Sequence, residues 1–552
     1  MAQLAEEILA ALDTEQRAVA TAVRGPVCVI AGAGTGKTRA ITHRLAYAVD
    51  IGVVDPQRIL ALTFTARAAG EMRTRLRALG VPNVAARTFH AAALKQLMYF
   101  WPHVLGGRFP SLLTTKTGFL GEAINRANVS ATKSNSVLRD VAGEIEWAKV
   151  IGLAPDEYIK AVDDYARPVR VSNNKVDATQ IAKVYEAYES LKKQERAIDF
   201  EDVLLLTVGM LEEERDVRDR VRDQYRYFTV DEYQDISPIQ QRLINAWLGT
   251  RKDICVVGDP AQTIYSFAGA TPVFLNSFTQ RFPEAEVIRL STGYRSTPEI
   301  TFAANALLRH AQMGQELVAQ NEHGSQPTVS AYRDEESEIA GVLADITQLL
   351  AEGVAPQEIA ILARTNAQLK GAEKEMRTLN LPYQVRSTER FFDRKEVRDF
   401  LSEVRKASVI PAEDQGWIDE LRSLAQPYLT GEVIDGIAAL LHLARELDAD
   451  ASFTPKSLRG YLREVEDRVQ QNNPPTMPVI TLATLHAAKG LEWERVFLIG
   501  ASDGQLPVSD APIDEERRLF YVGITRAKAD LHISYKNSPS PFLRESGLLA
   551  SS

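Results

Sequence analysis

Short apolar runs alternate with helical patterns along the first 300 residues. Four runs have the length expected for strands buried on both faces of a parallel sheet: Val27–Ala31, Ile59–Thr63, Phe228–Val230 and Ile254–Val257. Each leads into a loop or a helix, which is typical of a doubly wound α/β domain. From about residue 106 to 197 the chain is polar and helical with almost no strand pattern, so we interpret this stretch as a helical insertion.

A second series of strand-like runs predicts a second α/β core. Its members are Val287–Leu290, Ile359–Ala363, Val496–Ile499 and Leu531–Tyr535. Another helical stretch, from about Leu401 to Pro478, interrupts this series and ends near the breaker cluster QNNPP. The prediction is therefore an α/β protein with two parallel-sheet cores, each carrying a mostly helical insertion.

This interpretation divides the chain into six segments. The first core comprises residues 1–105 and 198–286, separated by the insertion 106–197. The second comprises residues 287–400 and 478–552, separated by a reduced insertion at 401–477.

Charge and cysteine content narrow the function classes. The 552 residues include 64 basic and 73 acidic side chains, a net charge of −9, which excludes coating of nucleic acid by bulk positive charge but permits a local basic groove. Cys28 and Cys255 lie in apolar runs, cannot form a zinc site and suggest a reducing compartment. With neither a leader pattern nor an apolar run of about 18 residues, we expect a cytoplasmic protein with no membrane partner.

The segment AGAGTGKT predicts a phosphate-binding loop. It follows the strand run Val27–Ile30 and precedes a helical pattern, so backbone N–H groups and a helix N-terminus would face phosphate. Lys37 would reach the β- and γ-phosphates of ATP, and Thr38 would hold Mg²⁺. The alternative is a glycine-rich turn before a helix. The loop residues concerned are Ala31, Gly32, Ala33, Gly34, Thr35 and Gly36.

Two adjacent carboxylates end another apolar run, in YFTVDEYQD. Asp231 would hold Mg²⁺ and Glu232 would orient or deprotonate the attacking water. Adjacent acidic residues are usually a solvated turn, but α/β sheets place their ligands at the carboxyl ends of strands. The pair therefore predicts the metal carboxylate and water-activating group of an NTP hydrolase.

With these motifs, the chain resembles superfamily I DNA helicases of the UvrD/PcrA/Rep type. The matching segments are LDTEQRAVA, ILALTFTARAAGEM, RTFHA, IDFEDVLLL, DEYQDISPIQ, VVGDPAQTIYSFAGA, LSTGYRSTPEI, ILARTNAQ, FFDRKEVRDF, TLHAAKGLEWERVFLIG and EERRLFYVGITRAKADL. They span nearly the whole chain in order. The resemblance implies two RecA-like cores and an ATP-dependent 3′-to-5′ helicase that acts in DNA repair or replication and is nucleoid-associated when bound to DNA.

The resemblance also implies a set of nucleotide-contacting residues. Gln16 resembles the residue that reads adenine, Tyr294 the aromatic that stacks on the base and Glu492 the ribose contact. Arg295 and Arg526 resemble arginine fingers, which match charge that develops on the γ-phosphoryl oxygens. Two further positions resemble the γ-phosphate sensor and a nucleotide contact beside the loop, namely Gln262 and Arg39.

Single-stranded and tailed duplex DNA are the implied partners, together with repair or replication proteins. Binding without sequence preference needs aromatic platforms and positive charge. The positions that resemble DNA contacts are Phe64, Thr88, His90, Tyr265, Phe267, Arg364 and His486.

Two departures keep alternatives open. YSFAGA stands where many relatives have Tyr-x-Trp-Arg-Gly-Ala, so Phe267 offers less stacking area and Ala268 lacks a guanidinium. The second insertion is also short. Both features motivate the alternative of a protein-stripping translocase that unwinds weakly. The motor subunit of a helicase–nuclease complex is a separate alternative, in which the nuclease would be a partner. A P-loop kinase or GTPase is less compatible with Gln16, Arg295 and Arg526.

Overall fold

The computed structural model describes residues 2–113, 115–130, 134–165, 167–169, 171, 176–386, 391–408, 416–429, 434–449, 455–470, 475, 477–509 and 511–550. These form two compact units. The first comprises residues 1–30, 37–64 and 71–289, and the second comprises 31–36, 65–70 and 290–552. None of the described helices combines the length and apolar character that crossing a membrane requires.

The first unit is built on a six-stranded sheet. The strands in the first half of the chain are β1 Val27–Ala31, β2 Ile59–Thr63, β3 Ala85–Thr88, β4 Ser111–Leu112, β5 Ala197–Ile198, β6 Tyr227–Val230, β7 Ile254–Gly258 and β8 Glu286–Leu290. The order is β3-β2-β6-β7-β1-β8, and the pairings from β3 to β1 are parallel. β4 and β5 form a separate two-stranded sheet, with β4 near the start of the first insertion and β5 at its end.

One strand prediction is wrong. The run Val287–Leu290 was expected to open the second core, but β8 is the edge strand of the first sheet, next to β1. Val287 and Arg289 are exposed and alternate with the buried Ile288 and Leu290, and Glu286 is exposed at the start of the strand. This alternation is typical of an edge strand covered on one face, and sequence pattern alone does not assign such a strand to a sheet.

Helices cover this sheet and form the first insertion. The helices of the first half are α1 Ala2–Ala10, α2 Thr14–Thr21, α3 Lys37–Asp50, α4 Ala66–Ala78, α5 Phe89–Val104, α6 Thr117–Arg126, α7 Asn135–Ile151, α8 Tyr158–Asp164, α9 Ala178–Glu195, α10 Phe200–Glu213, α11 Arg215–Gln224, α12 Pro238–Leu248, α13 Val273–Asn276 and α14 Phe278–Arg281. Capping residues in the sequence determine where several of these helices begin. Ser237 caps α12 in a capping box with Gln240, and Asp199 caps α10 in one with Asp202.

The second unit contains another six-stranded parallel sheet. The strands of the second half are β9 Thr292–Gly293, β10 Val318–Ala319, β11 Thr328–Tyr332, β12 Ile359–Ala363, β13 Tyr383–Arg386, β14 Ile480–Thr484, β15 Trp493–Leu498 and β16 Ala527–Lys536. The order is β11-β16-β15-β12-β14-β13, with every pairing parallel. The prediction of an α/β protein with two parallel-sheet cores is confirmed.

The helices of the second half are α15 Pro298–Ala311, α16 Glu335–Ala351, α17 Asn366–Thr378, α18 Lys395–Ala407, α19 Trp417–Ala425, α20 Ile434–Ala449, α21 Leu458–Gln470, α22 Ile513–Ile524 and α23 Pro541–Glu545. α18 to α21 share one apolar core around Phe400, Leu421, Leu440 and Tyr461. α16 and α17 instead pack on the sheet. The breaker cluster QNNPP lies outside the described residues except for Pro475.

Candidate functional site

Three neighbouring strands of the first sheet deliver charged side chains at their carboxyl ends. α3 follows β1 and begins with Lys37 and Thr38, while β6 runs directly into Asp231 and Glu232. The Thr38 hydroxyl lies 3.5 Å from an Asp231 carboxylate oxygen, and Lys37 Nζ lies 4.0 Å from Glu232 Oε1. Residues separated by nearly 200 positions therefore meet where parallel sheets place ligands.

Glu232 is held in a strained backbone conformation. Its φ is 53°, in the left-handed region that non-glycine residues rarely adopt. Its backbone N–H donates to Asp231 Oδ1 at 2.9 Å, and its carboxylate accepts from Gln234 Nε2 at 2.5 Å. Such strain persists only where the surroundings fix it, and it is frequent at functional sites. The arrangement fixes the direction of the Glu232 carboxylate.

The loop after β7 adds Asp259 and Gln262. Gln262 Nε2 donates to Asp259 Oδ2 at 2.8 Å, and Asp259 N–H donates to the Gln234 side chain at 3.0 Å. Burial and Asp231's neighbour Glu232 raise the pKa of Asp231 to about 7, although Lys37 opposes this. Burial also raises the pKa of Asp259. The cluster thus concentrates acceptor oxygens around one lysine.

This donor set fits a divalent cation with a polyphosphate. A carboxylate and a hydroxyl are the hard oxygen ligands that Mg²⁺ prefers, and Mg²⁺ is bound in such sites by one or two carboxylates plus phosphate oxygens. The raised pKa of Asp231 indicates a carboxylate whose charged form a cation would stabilise. Thr38 and Asp231 are the pair that would hold the metal, and Lys37 would face phosphate.

The loop at residues 31–36 belongs to the second unit by its contacts. The Gly34 carbonyl accepts from Tyr294 N–H at 3.0 Å, and the Gly32 N–H donates to the Leu290 carbonyl at 3.4 Å. Gly34 has a φ of 72°, and a Cβ added there would lie 2.6 Å from Arg295 Cβ. Glycine at this position is therefore required by both backbone conformation and close packing.

Arg295 and Glu492 form an ion pair within the second unit. Arg295 Nε donates to Glu492 Oε2 at 2.7 Å, and its Nη1 donates to the Thr525 carbonyl at 3.2 Å. Burial would raise the pKa of Glu492, but Arg295 and Lys528 outweigh it and lower that pKa. Tyr294 beside this pair is 43% exposed, so its ring is accessible for stacking.

Arg526 is 1% exposed and is hydrogen-bonded inside the second unit. Its Nε donates to the Val522 carbonyl at 2.8 Å, its Nη1 to the Leu491 carbonyl at 3.0 Å and its Nη2 to the Thr525 hydroxyl at 3.2 Å. A finger role therefore requires this guanidinium to exchange backbone partners for phosphate oxygens.

The two other predicted nucleotide contacts lie near the start of the first unit. Gln16 is 3% exposed in the first turn of α2, where its N–H donates to the Asp13 side chain at 2.7 Å. Arg39 on α3 donates to the Ala11 carbonyl. α2 and α3 therefore hold both residues on neighbouring helices of the first unit.

Exposed aromatic rings line up beside the acidic cluster. Phe64 follows β2 directly and stacks on Tyr265 with ring centroids 5.6 Å apart and planes within 11°. Phe267 meets Tyr265 edge-on at 6.2 Å. Phe64 is 40% and Phe267 57% exposed. We call Phe64, Tyr265 and Phe267 the aromatic ladder; its open π-faces are of the kind that stack on bases.

Thr88 and His90 take local structural partners. The Thr88 hydroxyl caps α5 by accepting the Ala91 N–H at 3.1 Å. His90 lies edge-on to Phe200 at 6.2 Å. The structure therefore gives each residue a role in the start of α5 and its packing, beside the predicted role in DNA binding.

Arg364 and His486 lie at the carboxyl ends of β12 and β14 in the second unit. Arg364 forms a two-pronged ion pair with Glu516, with N–O distances of 2.8 to 3.0 Å. Burial, Arg364 and Lys489 lower the pKa of His486 to about 4, so His486 is neutral at pH 7. Glu516 and Asp259 are partners that were not predicted from the sequence. Their available signal is an acidic residue directly after a strand for Asp259 and at the start of a helix for Glu516.

The comparisons with known proteins agree with this geometry. The UvrD/REP helicase N-terminal domain matches residues 12–283, and the UvrD-like helicase C-terminal domain matches residues 288–407 and 418–538. ATP-dependent DNA helicase UvrD2 of Mycobacterium tuberculosis is 44% identical over 99% of this chain and 81% of its own length. ATP-dependent DNA helicase PcrA of Leuconostoc citreum is 30% identical over 98% of this chain and 85% of its own. The chain therefore belongs to the UvrD/Rep family of helicases.

Proposed function

We propose that the chain is an ATP-driven motor that moves 3′ to 5′ on single-stranded DNA and separates duplex DNA in repair or replication. One observation carries the proposal. The loop after β7 supplies Gln262 and then Tyr265 and Phe267 of the aromatic ladder. β2, which neighbours β6 in the same sheet, continues into Phe64, and Phe64 stacks on Tyr265. A change at the phosphate end of that loop therefore has a short covalent path to the stacking rings.

The roles follow from chemistry. Lys37 would neutralise phosphate charge, and Glu232 would orient the attacking water from its strained position. Gln262 would respond to the γ-phosphate through the amide now bonded to Asp259. Bound Mg²⁺ would supply charge stabilisation at the transferred phosphoryl group. In the second unit, Tyr294 would stack on adenine, Glu492 would contact the ribose, and Arg295 and Arg526 would act as fingers.

The division of the chain at residues 105, 197, 400 and 477 belongs to the same proposal, with the boundary between the cores moved from 286 to the end of β8. The DNA contacts at Arg364, His486, Thr88 and His90 belong to it too. So do the nucleotide contacts of Gln16 and Arg39. We also expect repair or replication proteins as partners.

The deciding experiment is ATP hydrolysis by the purified chain with and without single-stranded oligonucleotide. We expect strong stimulation by DNA, with turnover lost in Lys37→Ala, and nucleotide binding without turnover in Glu232→Gln. A rate of hydrolysis that does not change when DNA is added would contradict a DNA motor. Retained turnover in Glu232→Gln would contradict the assignment of Glu232 as the residue that orients the attacking water.

Direction is tested with duplexes that carry a 3′ or a 5′ single-stranded tail. The proposal requires separation of the 3′-tailed substrate when the motor loads on its tail. Separation of the 5′-tailed substrate alone would reverse the assigned direction. DNA-stimulated hydrolysis with little separation of either substrate would favour the protein-stripping translocase, which Ala268 and the short second insertion already suggest.

A further inference from the structure

An arginine of the first insertion reaches the loop that carries the aromatic ladder. Arg167 follows α8, and both terminal nitrogens of its guanidinium lie 3.4 Å from the Phe267 carbonyl oxygen. The two residues are 100 positions apart within the first unit. Ala268, the next residue in the loop, carries no guanidinium of its own.

The Arg167 guanidinium is fixed from two other sides. Its Nε and Nη2 donate to the two carboxylate oxygens of Glu144 at 2.9 and 3.1 Å. Its Cζ lies over the Trp147 ring, 4.3 Å from the ring centroid, a cation–π contact. Glu144 is in turn fixed by the Tyr158 hydroxyl, which donates to it at 2.7 Å. A planar fork held by a carboxylate and an indole presents its remaining N–H groups in one direction.

The loop is also packed against the insertion at its glycine. Gly269 has a φ of 84°, and a Cβ added there would lie 2.7 Å from a methyl group of Val150 on α7. Arg167 and Val150 therefore contact the turn Ser266–Ala268 and the residue after it. The Phe267 ring itself stays 57% exposed, so these contacts hold the backbone and leave the ring accessible.

We propose that Arg167 is a positioning residue that sets the direction of the Phe267 ring for stacking on DNA bases. The inference deepens the proposed function and rests on it, since it requires that the aromatic ladder bind single-stranded DNA. It makes the first insertion part of the DNA-binding apparatus without contact between Arg167 and DNA. Arg167 bonds to the backbone carbonyl of Phe267. We therefore expect loss of Arg167 to change the orientation of the Phe267 ring, and hence base stacking, with contacts to phosphate unaffected.

The test compares a fluorescently labelled oligothymidylate with an abasic oligonucleotide of equal length, by anisotropy titration of the full chain. The abasic strand keeps the phosphates and lacks the bases. The dissociation constant of the abasic strand divided by that of the oligothymidylate therefore measures base stacking, and we call this quotient the ratio. Arg167→Met should weaken binding of the oligothymidylate by about threefold to tenfold. Its binding of the abasic strand should stay within about twofold of the unmodified chain, so the ratio falls.

Two further variants separate positioning from folding. Arg167→Lys keeps the charge but lacks the fork, and should recover at most part of the ratio. Glu144→Gln keeps an acceptor for Tyr158 but removes the charge that holds Arg167, and should lower the ratio less than Arg167→Met. Arg126→Met is the matched control, because Arg126 lies in the same insertion and bonds to Glu122 and Gln194. It should leave the ratio unchanged.

An equal loss for both oligonucleotides in Arg167→Met, no loss at all, or full recovery by lysine would overturn the assignment. Phe64→Ala distinguishes this failure from failure of the proposed function. If Phe64→Ala lowers the ratio and Arg167→Met does not, the aromatic ladder stands and Arg167 has no part in it. If neither variant changes the ratio, base stacking on the ladder is refuted, and the role of Arg167 with it.

Discussion

Both helical insertions have an apolar core, but they differ in the ion pairs that they bury. In the first, Lys149 and Lys192 are at most 2% exposed, and both bind Asp199, which is fully buried at the start of α10. In the second, α18 to α21 meet around an apolar core, and ion pairs such as Arg405–Glu466 lie at the surface. The first region therefore adds directional, buried charged contacts to its apolar core, whereas the second depends on apolar packing with its ion pairs at the surface.

The difference concerns specificity as much as stability. Buried ion pairs contribute little net free energy against apolar replacements, but breaking one partner is costly because a charge is left buried. A network of this kind tolerates one arrangement of α7, α9 and α10. An apolar core tolerates repacking at moderate cost. The region that positions Arg167 is thus the one in which buried charge acts together with apolar packing.

The largest predicted effect comes from removing Asp199. Asp199→Ala removes the most buried of the three carboxylates that Lys149 and Lys192 share, the others being Glu189 and Asp202, and it also removes the cap of α10. The two losses together should destabilise the first insertion by about 3–5 kcal/mol. Hydrogen exchange of peptides from α7 and α9 measures this locally. Asp164→Ala is the control, because its pair with Lys160 is exposed to solvent and should contribute little to stability. Equal, small effects of both changes would remove the distinction between the two regions.

The apolar region should respond next most strongly to cavity formation. Leu440 is fully buried in α20, and Leu440→Ala should cost about 2–4 kcal/mol through lost apolar contact and a cavity. Increased hydrogen exchange should be confined to peptides of α18 to α21. Leu441→Ala removes the same atoms at a half-buried position and should cost clearly less. If the two substitutions were equivalent, packing would not explain the stability of this region.

The sequence predicted the buried strands better than the exposed ones. β1 and β2 coincide with their predicted runs because continuous apolar residues leave little doubt about a doubly covered strand. β3, with the sequence AART, and β13 were missed because short, half-polar strands resemble loops. β14, with the sequence ITLAT, was missed as well, although all five of its residues are buried. β8 was assigned to the wrong sheet because pairing partners are set by tertiary packing.

In the candidate site, too, residues within motifs were predicted from the sequence, whereas contacts between distant segments were not. Motif spacing indicated Lys37, Thr38 and Asp231, which the structure brings together, and their roles remain predictions. The contacts of Arg167 join α7 and a loop 100 residues away, and no local pattern encodes such a meeting.

Mild acid should sharpen the contrast between the units. Burial would raise the pKa of Asp199, but Lys149 and Lys192 hold it far below its usual range, so this network keeps its charge between pH 7.5 and 5. His486 in the second unit has a pKa of about 4, and its unfolded form has one near 6.5. The unfolded chain therefore binds a proton that the folded one does not, and stability falls as the pH drops through 6.5 towards 4.

At pH 5 this cost should be about 1–2 kcal/mol and near zero at pH 7.5. His486→Gln, which does not titrate, should reduce the acid-induced fall in the midpoint of thermal unfolding. The difference between the two proteins isolates His486 from other groups. A fall of the same size in both would show that His486 is not the titrating group.

The smallest predicted effect is at the surface of the second region. Arg405 and Glu466 are about half exposed and 3.4 Å apart, so Glu466→Gln should change the local free energy of opening by less than about 0.5 kcal/mol. Raising the salt concentration should erase even that difference, because exposed charges are screened over about 3 Å at 1 M. Hydrogen exchange of α18 and α21 peptides at low and high salt measures it. A loss of stability comparable to that of Asp199→Ala would mean that ion pairs contribute equally to both regions. Only a buried ion pair costs that much when one partner is removed, because the other charge is then left buried without a partner.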